Sequence, residues 1–271
     1  MNKVGLCTIA FKDKNVDEVI KIAADCGAEC VELWSRPPHV AYPVSDDIVN
    51  KVKPLCDTNN IEIVVLGSYL NGLKIVNNNS IDVSIENEIR VAIMFNAKII
   101  RLWAGIHNFV DSSEQEIDTV IKFLQRSCDK AAIEGITIVI ERHNNTITNG
   151  WHDVPLKLLE RVGRKNCKLN YQPPYPFTEE DYKTKMGQDM KLLLPVSGHC
   201  HLQNYKIANG QHVSAPLGSG VIDYSGLGKF VRESGYTGAF MLEFMPKSGY
   251  ETSDPRVIIK AELDYIKKII R

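Results

Sequence analysis

The sequence has no excess charge of either sign, no long hydrophobic run and no paired cysteine motif. Its 32 lysines and arginines balance 33 aspartates and glutamates, for a net charge of -1, so we expect no nucleic-acid or membrane partner. No run reaches the roughly 18 apolar residues of a membrane helix, and no apolar signal core follows Met1. Seven cysteines without a CxxC spacing indicate reduced thiols. We therefore predict a cytoplasmic protein.

The sequence also lacks the motifs and linkers that would indicate other architectures. It contains no GxGxxG after the first predicted strand and no GxxxxGK[ST], which removes the usual support for nucleotide binding. No segment rich in Pro, Gly or Ser divides the chain, so we predict one domain over residues 1–271. With 44% hydrophobic residues, the chain can bury a large core.

Short apolar runs alternate with amphipathic stretches along the chain. Most of the runs are rich in Val and Ile without strict alternation, which is typical of strands buried on both faces. The predicted strands are Val4–Ile9, Cys30–Trp34, Ile61–Leu66, Lys98–Trp103, Ile136–Glu141, Lys168–Tyr171, Val196–Leu202 and Ala239–Phe244. The predicted helices are Val16–Cys26, Ser80–Phe95, Ser112–Ala132, Val154–Val162, Tyr224–Ser234 and Pro255–Ile270.

Tight helix–glycine–strand joints recur between these elements, as in Ala23–Ala28 and Ala131–Ile136. The unit repeats about eight times, and the chain is near the roughly 250 residues typical of this fold. These features predict an α/β protein with a closed (β/α)8 TIM barrel, and an open doubly wound sheet is the alternative.

Three of the predicted strands end in a carboxylate, at Glu32, Glu141 and Glu243. A charge at the end of a buried strand is costly unless it is paired, and the C-terminal strand ends of a barrel form its active-site face. Glu141 and Glu243 are therefore candidates for a metal-binding or catalytic pair. Glu32 could contact substrate or could only pair with Arg101.

Other polar and aromatic residues fall at the same strand ends: Tyr69, Trp103, His143, Gln172, His199 and His201. Two carboxylates with a histidine nitrogen and an amide oxygen suit Mn²⁺, Mg²⁺, Co²⁺ or Zn²⁺. Such an ion would polarise a carbonyl while a carboxylate takes a proton from the neighbouring carbon. Isomerisation, epimerisation and dehydration all use this chemistry.

The histidines fall into two groups, those on a predicted strand and those in loops. His199 and His201 point to the same face of one strand, and we favour His201 as the ligand because it is nearer the strand end. The histidines assigned to loops, which we expect at the surface, are His39, His107, His152 and His212. The aromatic residues Trp34, Tyr69 and Trp103 could be core residues or the walls of a sugar pocket.

The ordered set of these segments resembles the xylose isomerase-like TIM barrels, a family that includes sugar isomerases and epimerases, inosose dehydratases and dehydroshikimate dehydratases. The resemblance rests on Val4–Phe11, Val31–Trp34, Ile99–Gly105, Val139–His143, His199–Asn204, Leu217–Tyr224 and Met241–Glu243. The segments Leu6–Phe11, Glu32–Trp34 and Glu141–Thr148 look closest to the dehydroshikimate dehydratases.

The resemblance implies one divalent metal held by a Glu, an Asp, a His and a Glu on the last four strands. Carried over by motif, the ligands are Glu141, Gln172, His201 and Glu243, and His143 would touch substrate. Gln172 departs from the family pattern because it replaces the Asp, and Tyr175 stands where a substrate-binding His is usual. Gln can offer a neutral oxygen to a metal, so metal binding is expected to be weaker and its occupancy stays open.

The leading interpretation is a metal-assisted isomerase or epimerase of a small sugar, polyol or sugar phosphate, with Glu141 and Glu243 as catalytic groups. The predicted substrate-binding residues are Glu32, Trp34, Tyr69, Trp103, His143, Tyr175 and Lys206. A dehydroshikimate- or inosose-dehydratase-type lyase on the same site is the first alternative. A non-catalytic carbohydrate-binding barrel that has lost its metal is the second. Relatives are often dimers or tetramers, so a homo-oligomer is also possible.

Overall fold

The computed structural model of the protein describes residues 2–73, 84–243 and 254–271. Within these residues, eight parallel strands close into a barrel, in which neighbours in the chain are neighbours in space. The barrel strands are β1 (Val4–Cys7), β2 (Cys30–Trp34), β3 (Glu62–Gly67), β4 (Ile99–Trp103), β5 (Thr137–Glu141), β6 (Cys167–Tyr171), β7 (Ser197–Leu202) and β10 (Phe240–Leu242). Pairing of β1 with β10 closes the ring.

The helices that connect these strands are α1 (Val16–Asp25), α2 (Asp46–Thr58), α3 (Ile85–Met94), α4 (Glu114–Ile133), α5 (Asp153–Val162), α6 (Glu179–Leu193), α7 (Leu227–Ser234) and α8 (Pro255–Ile270). Their ends follow local chemistry. Ser113 and Glu116 form a capping box at the start of α4, and Gly163 closes α5 in the left-handed conformation. None of the helices within the described residues is long and apolar enough to cross a membrane.

The predicted (β/α)8 barrel is confirmed, and most strand bounds differ from the prediction by a residue or two. The first strand is shorter, because Thr8–Phe11 turn into a 3₁₀ helix after Cys7. The start of the helix predicted at Ser80–Phe95 and the end of the strand predicted at Ala239–Phe244 lie outside the described residues.

The sequence patterns missed three elements. Helix α2 has helical spacing of its apolar residues but contains Pro54 in its interior, which argues against a helix. Helix α6 is strongly polar with Gly187 inside it, so its helical periodicity is weak. The third missed element is an antiparallel hairpin of β8 (Asn204–Ala208) and β9 (Gln211–Ala215), which pairs apart from the barrel. It follows β7 directly and therefore leaves from the carboxyl end of the barrel.

The core has two chemical characters. Between the barrel and its helices it is apolar, with Ile20, Leu33, Ile100, Leu124 and Ile259 among the fully buried side chains. Near the carboxyl ends of the strands the buried side chains become polar or charged: Glu32, Arg101, Glu141, Asn170, His199 and His201. Buried charge is costly unless it is paired, so the contacts among these groups define the site.

Candidate active site

A cavity of about 410 Å³ opens at the carboxyl ends of the barrel strands. Of the predicted site residues, it is lined by Glu32, Tyr69, Trp103, Glu141, His143, Gln172, Tyr175, His201 and Glu243. Trp34 and Lys206 do not line it. The strand ends that were expected to converge therefore do so for most of the predicted set.

Arg101 lies between two buried carboxylates that line the cavity, Glu32 and Glu141. Its Nη2 is 3.0 Å from Glu32 Oε1 and its Nη1 is 2.8 Å from Glu141 Oε2. Gly67 at the end of β3 makes room for this arrangement, since a Cβ there would lie 2.6 Å from Glu32 Oε1 and 2.9 Å from Arg101 Nη2. The pairing of Glu32 with Arg101 was anticipated, whereas the second pairing, with Glu141, was not.

The two nitrogens of His201 face different groups. Nε2 lies 2.7 Å from Glu32 Oε2 and 3.5 Å from Cys7 Sγ. Nδ1 lies 3.1 Å from Gln172 Oε1, 3.4 Å from Glu141 Oε1 and 3.8 Å from Glu243 Oε2. The Nε2 edge of the imidazole therefore faces Glu32 and Cys7, and the Nδ1 edge faces three side-chain oxygens. We call the Nδ1 edge, with Gln172, Glu141 and Glu243, the oxygen-rich side.

This oxygen-rich side fits a divalent cation. Glu141, His201 and Glu243 each offer a ligand atom, and these atoms lie within 4.8 Å of one another. Glu243 Oε2 is buried and has no hydrogen-bond partner within the described residues, although its side chain keeps 17% exposure towards the cavity. A converging set with an unused buried carboxylate oxygen is what a hard or borderline metal requires.

The environment drives the pKa values of the two catalytic candidates apart. Burial alone would raise the pKa of Glu141, but Arg101 and His201 outweigh it and lower that pKa to about 2. Burial raises the pKa of Glu243, which His201 opposes only in part. For His201, burial would lower the pKa, but Cys7, Glu32 and Glu141 raise it well above its usual value. Divergent values in one pair are typical of acid–base sites.

One wall of the cavity is aromatic and comes from the ends of β3, β4 and β5. Trp103 stacks on His143 with ring centroids 4.7 Å apart, and Tyr69 lies 5.5 Å from Trp103. Trp34 stands behind this wall, where its indole N–H donates to the Tyr69 hydroxyl at 3.0 Å. Trp34 therefore supports the wall from outside the cavity.

A second aromatic wall joins the loop after β6 to the hairpin. Tyr175 lies 5.3 Å from Tyr205 and 4.9 Å from His212 between ring centroids. Sequence reasoning missed Tyr205, His212 and Ser214 because it missed the hairpin. The signal was present: Asn209 and Gly210, both with positive φ, form the Asn-Gly turn that marks a two-residue hairpin.

Several residues lie away from their predicted surroundings. Lys206 is exposed on β8. His39 was expected at the surface but is 1% exposed and lies 2.9 Å from Thr8 Oγ1. His212 was assigned to a surface loop but lines the cavity. His199, by contrast, was not favoured as the ligand, and it is fully buried and lies 2.9 Å from Glu32.

Two further buried contacts hold the elements that carry the site. Arg142, next to Glu141, donates to both carboxylate oxygens of Asp189 on α6, at 3.0 and 2.7 Å. Asn204, just after β7, donates to the carbonyls of Leu217 and Ile222. These bonds fix the ends of β5 and β7.

Comparison with known proteins identifies the class. The family model of xylose isomerase-like TIM barrels matches residues 20–269, so the chain belongs to this family. A curated relative, the 3-dehydroshikimate dehydratase of Bacillus anthracis, is 24% identical over 281 residues, covering 96% of this chain and 95% of the relative.

Solved structures share the fold. A D-allulose 3-epimerase from Methylomonas sp. superposes with a TM-score of 0.75 at 16% identity, covering 98% of this chain and 97% of that one. A xylose isomerase-like TIM barrel protein from Mycobacterium smegmatis, in complex with magnesium, has a TM-score of 0.76 at 16% identity, covering 100% and 97% of the chains. These likenesses, at 16% identity, show that the chain shares its fold with these proteins.

Proposed function

We propose that the protein is a metal-assisted isomerase or epimerase that moves a proton at a carbon next to a carbonyl in a small, uncharged sugar or polyol. The observation that carries this proposal is the convergence of Glu141, His201 and Glu243, with ligand atoms within 4.8 Å of one another. Both carboxylates face one cavity, so both can reach one substrate carbon.

Glu141, Gln172, His201 and Glu243 would hold the ion, which would be Mn²⁺, Mg²⁺, Co²⁺ or Zn²⁺. A cation held there supplies Lewis acidity towards the substrate carbonyl. Gln172 contributes a neutral oxygen, and Arg101 already occupies one oxygen of Glu141. The ligand set therefore carries less negative charge than one with three free carboxylates, and we expect moderate metal affinity.

Proton transfer falls to the two glutamates. An epimerisation needs one group to take a proton and another to return one, and the unlike surroundings of Glu141 and Glu243 suit these two tasks. Arg101 anchors Glu141, whereas the free oxygen of Glu243 faces the cavity. His143 lines the cavity beside Trp103, on which its ring stacks, and would contact substrate hydroxyls.

The proposal of an uncharged substrate rests on the paired arginines of the cavity and on its two aromatic walls. Among the described residues that line the cavity, both arginines are already paired: Arg101 with Glu32 and Glu141, and Arg142 with Asp189. Apart from the proposed metal ion, a carboxylate or phosphate on the substrate would be bound best by an arginine or lysine that has no other partner. The two aromatic walls instead suit the apolar faces of a neutral polyol.

Incubation with neutral ketohexoses and polyol-derived ketones in D₂O, with Mn²⁺ present, tests this proposal. We expect deuterium at the carbon next to the carbonyl together with a new sugar isomer. Glu141→Gln and Glu243→Gln should each lower the rate by about 10²–10⁴-fold. The matched control is Glu262→Gln, which should leave the rate unchanged. Glu262 is a buried glutamate on α8 that accepts a hydrogen bond from the Leu217 amide, away from the cavity. Absence of deuterium exchange from every neutral ketose would contradict the proposal.

A dehydratase-type lyase is the second candidate, and the nearly full-length match to a 3-dehydroshikimate dehydratase favours it. One of the same glutamates would take the proton from carbon, and the other would give a proton to the departing hydroxyl, which leaves as water while the carbon–carbon double bond forms. Dehydration of 3-dehydroshikimate gives an aromatic product, so ultraviolet absorbance follows it directly. Turnover of this substrate with no exchange in neutral ketoses would select the lyase.

A further inference from the structure

Glu32 lines the cavity and was expected either to contact substrate or to pair with Arg101. Its side chain is 3% exposed, and both carboxylate oxygens are used within the barrel. Oε1 accepts from Arg101, whose Nε is 3.1 Å away and whose Nη2 is 3.0 Å away. Oε2 lies 2.9 Å from His199 Nε2 and 2.7 Å from His201 Nε2.

A carboxylate paired with a guanidinium is an acceptor only. Each histidine nitrogen that faces Glu32 must therefore carry a proton and donate it. For His201 this requirement places a proton on Nε2. Nδ1, on the opposite side of the ring, faces Gln172, Glu141 and Glu243 and is the nitrogen that can give up its proton to a metal ion. A metal can bind a histidine nitrogen only when that nitrogen is unprotonated.

We propose that Glu32 is a positioning residue that keeps the proton of His201 on Nε2 and so reserves Nδ1 for a metal ion. This inference rests on the metal site of the proposed function. Cys7 is the other group near Nε2, but its sulfur at 3.5 Å is a weaker partner. His199 shares the same oxygen without lining the cavity, so it helps to hold Glu32 in place.

The substitution Glu32→Gln tests whether Glu32 controls the proton of His201 or only neutralises Arg101. In Gln, one of the two oxygens becomes an NH₂ group, which can only donate. The remaining oxygen is expected to turn to the charged Arg101, which leaves the NH₂ facing His199 and His201. Nε2 of His201 must then accept, so its proton moves to Nδ1, where it competes with the metal.

The test uses two measurements. Calorimetric titration gives the affinity for Mn²⁺, and ¹⁵N NMR of protein labelled at histidine shows which ring nitrogen carries a proton. The signals of His201 are those that disappear in His201→Asn. Because the pKa of His201 is raised, the spectra are recorded at a pH high enough for the ring to carry a single proton. We expect wild-type His201 to keep that proton on Nε2 with and without Mg²⁺. Glu32→Gln should move that proton to Nδ1 and weaken Mn²⁺ binding about 10–100-fold. Glu88→Gln is the matched control: Glu88 is another fully buried glutamate, contacts Ser35 and Tyr42, and should leave both readouts unchanged.

The two proposals fail in different ways. An unprotonated Nε2 in the wild-type protein overturns the role of Glu32 whether or not the variant folds. A folded Glu32→Gln protein that retains the Nε2 proton, or that binds Mn²⁺ as well as the wild type, also overturns it. If the wild-type protein binds no Mn²⁺, the metal-assisted function fails, while the NMR measurement on metal-free protein still decides what Glu32 does.

Discussion

At the scale of single residues, the site is distinguished by how its charges are distributed. Arg101 joins Glu32 to Glu141, and Gln172 occupies the position where the family resemblance implies an aspartate. Both features make the surroundings of the proposed metal site less negative. The free oxygen of Glu243 and the Nδ1 side of His201 are the remaining points of strong attraction for a cation.

Replacing Gln172 by Asp should therefore tighten metal binding. An added carboxylate within ligand distance strengthens the attraction for a divalent ion, and we expect a gain of about tenfold or more in Mn²⁺ affinity. Calorimetric titration measures it. Gln203→Glu adds the same charge to the cavity lining outside the ligand set and should give a smaller gain. Unchanged affinity in Gln172→Asp would place residue 172 outside the set.

Glu243 should also affect stability in a pH-dependent way when the protein is free of metal. Because its pKa is raised in the folded protein, the neutral form is favoured there, and ionisation above the ordinary glutamate pKa costs stability. Glu243→Gln should match the wild type in melting temperature at low pH and exceed it increasingly as the pH rises. Thermal melts with chelator present measure the difference. A wild-type advantage at high pH would contradict the assignment.

At the scale of elements, strand β5 ends at Glu141, which lines the cavity, and the next residue, Arg142, pairs with Asp189 on α6. The bidentate pair of Arg142 with Asp189 has 0% exposure on both sides. This pair ties the end of β5, which carries the proposed catalytic residue Glu141, to α6. Removing one member would leave a buried charge without compensation.

Asp189→Asn should therefore lower the free energy of unfolding by about 3–5 kcal/mol. Urea denaturation followed by circular dichroism gives the value. The control is Asp129→Asn, which removes the exposed partner of Arg164 and should shift the midpoint little. Comparable midpoints for the two variants would show that the buried pair does not secure β5.

The β8–β9 hairpin provides the second aromatic wall and should affect substrate binding more than chemistry. We expect His212→Ala to raise KM about three- to tenfold, the equivalent of one lost aromatic contact, with kcat and Mn²⁺ affinity nearly unchanged. Steady-state kinetics with the active sugar measures both constants. Gln211→Ala, at an exposed position of the same hairpin, should behave as the wild type. A fall in kcat alone would place His212 in the chemical step.

At the scale of the whole molecule, a metal that binds only the folded barrel must stabilise it by mass action. An ion at 100 times its dissociation constant stabilises the folded state by about 2.7 kcal/mol, which corresponds to roughly 5 °C or more in melting temperature. Melts at increasing Mn²⁺ concentration should show this rise in the wild type and lose it in His201→Asn. A rise that persists in His201→Asn would locate the stabilising ion elsewhere.

The sequence by itself determined the barrel and its polar rim. Apolar runs that end in Glu, His or Gln alternate with helices that end in glycine, and few architectures fit this pattern. In a closed parallel barrel the strand ends meet, so their polar side chains can pair with one another. The local patterns failed where tertiary packing overrides propensity, as in α2 with its internal proline and in the polar α6.

Only the tertiary structure decided how the charges pair. The sequence does not reveal that Arg101 bridges two glutamates, that Gly67 leaves room for this bridge, or that Glu32 faces the far nitrogen of His201. These contacts join strands that lie far apart in the chain, and their geometry depends on the register of the closed barrel. The physical reason is burial: a charged group that leaves water must find its partner in space, whatever its distance along the sequence.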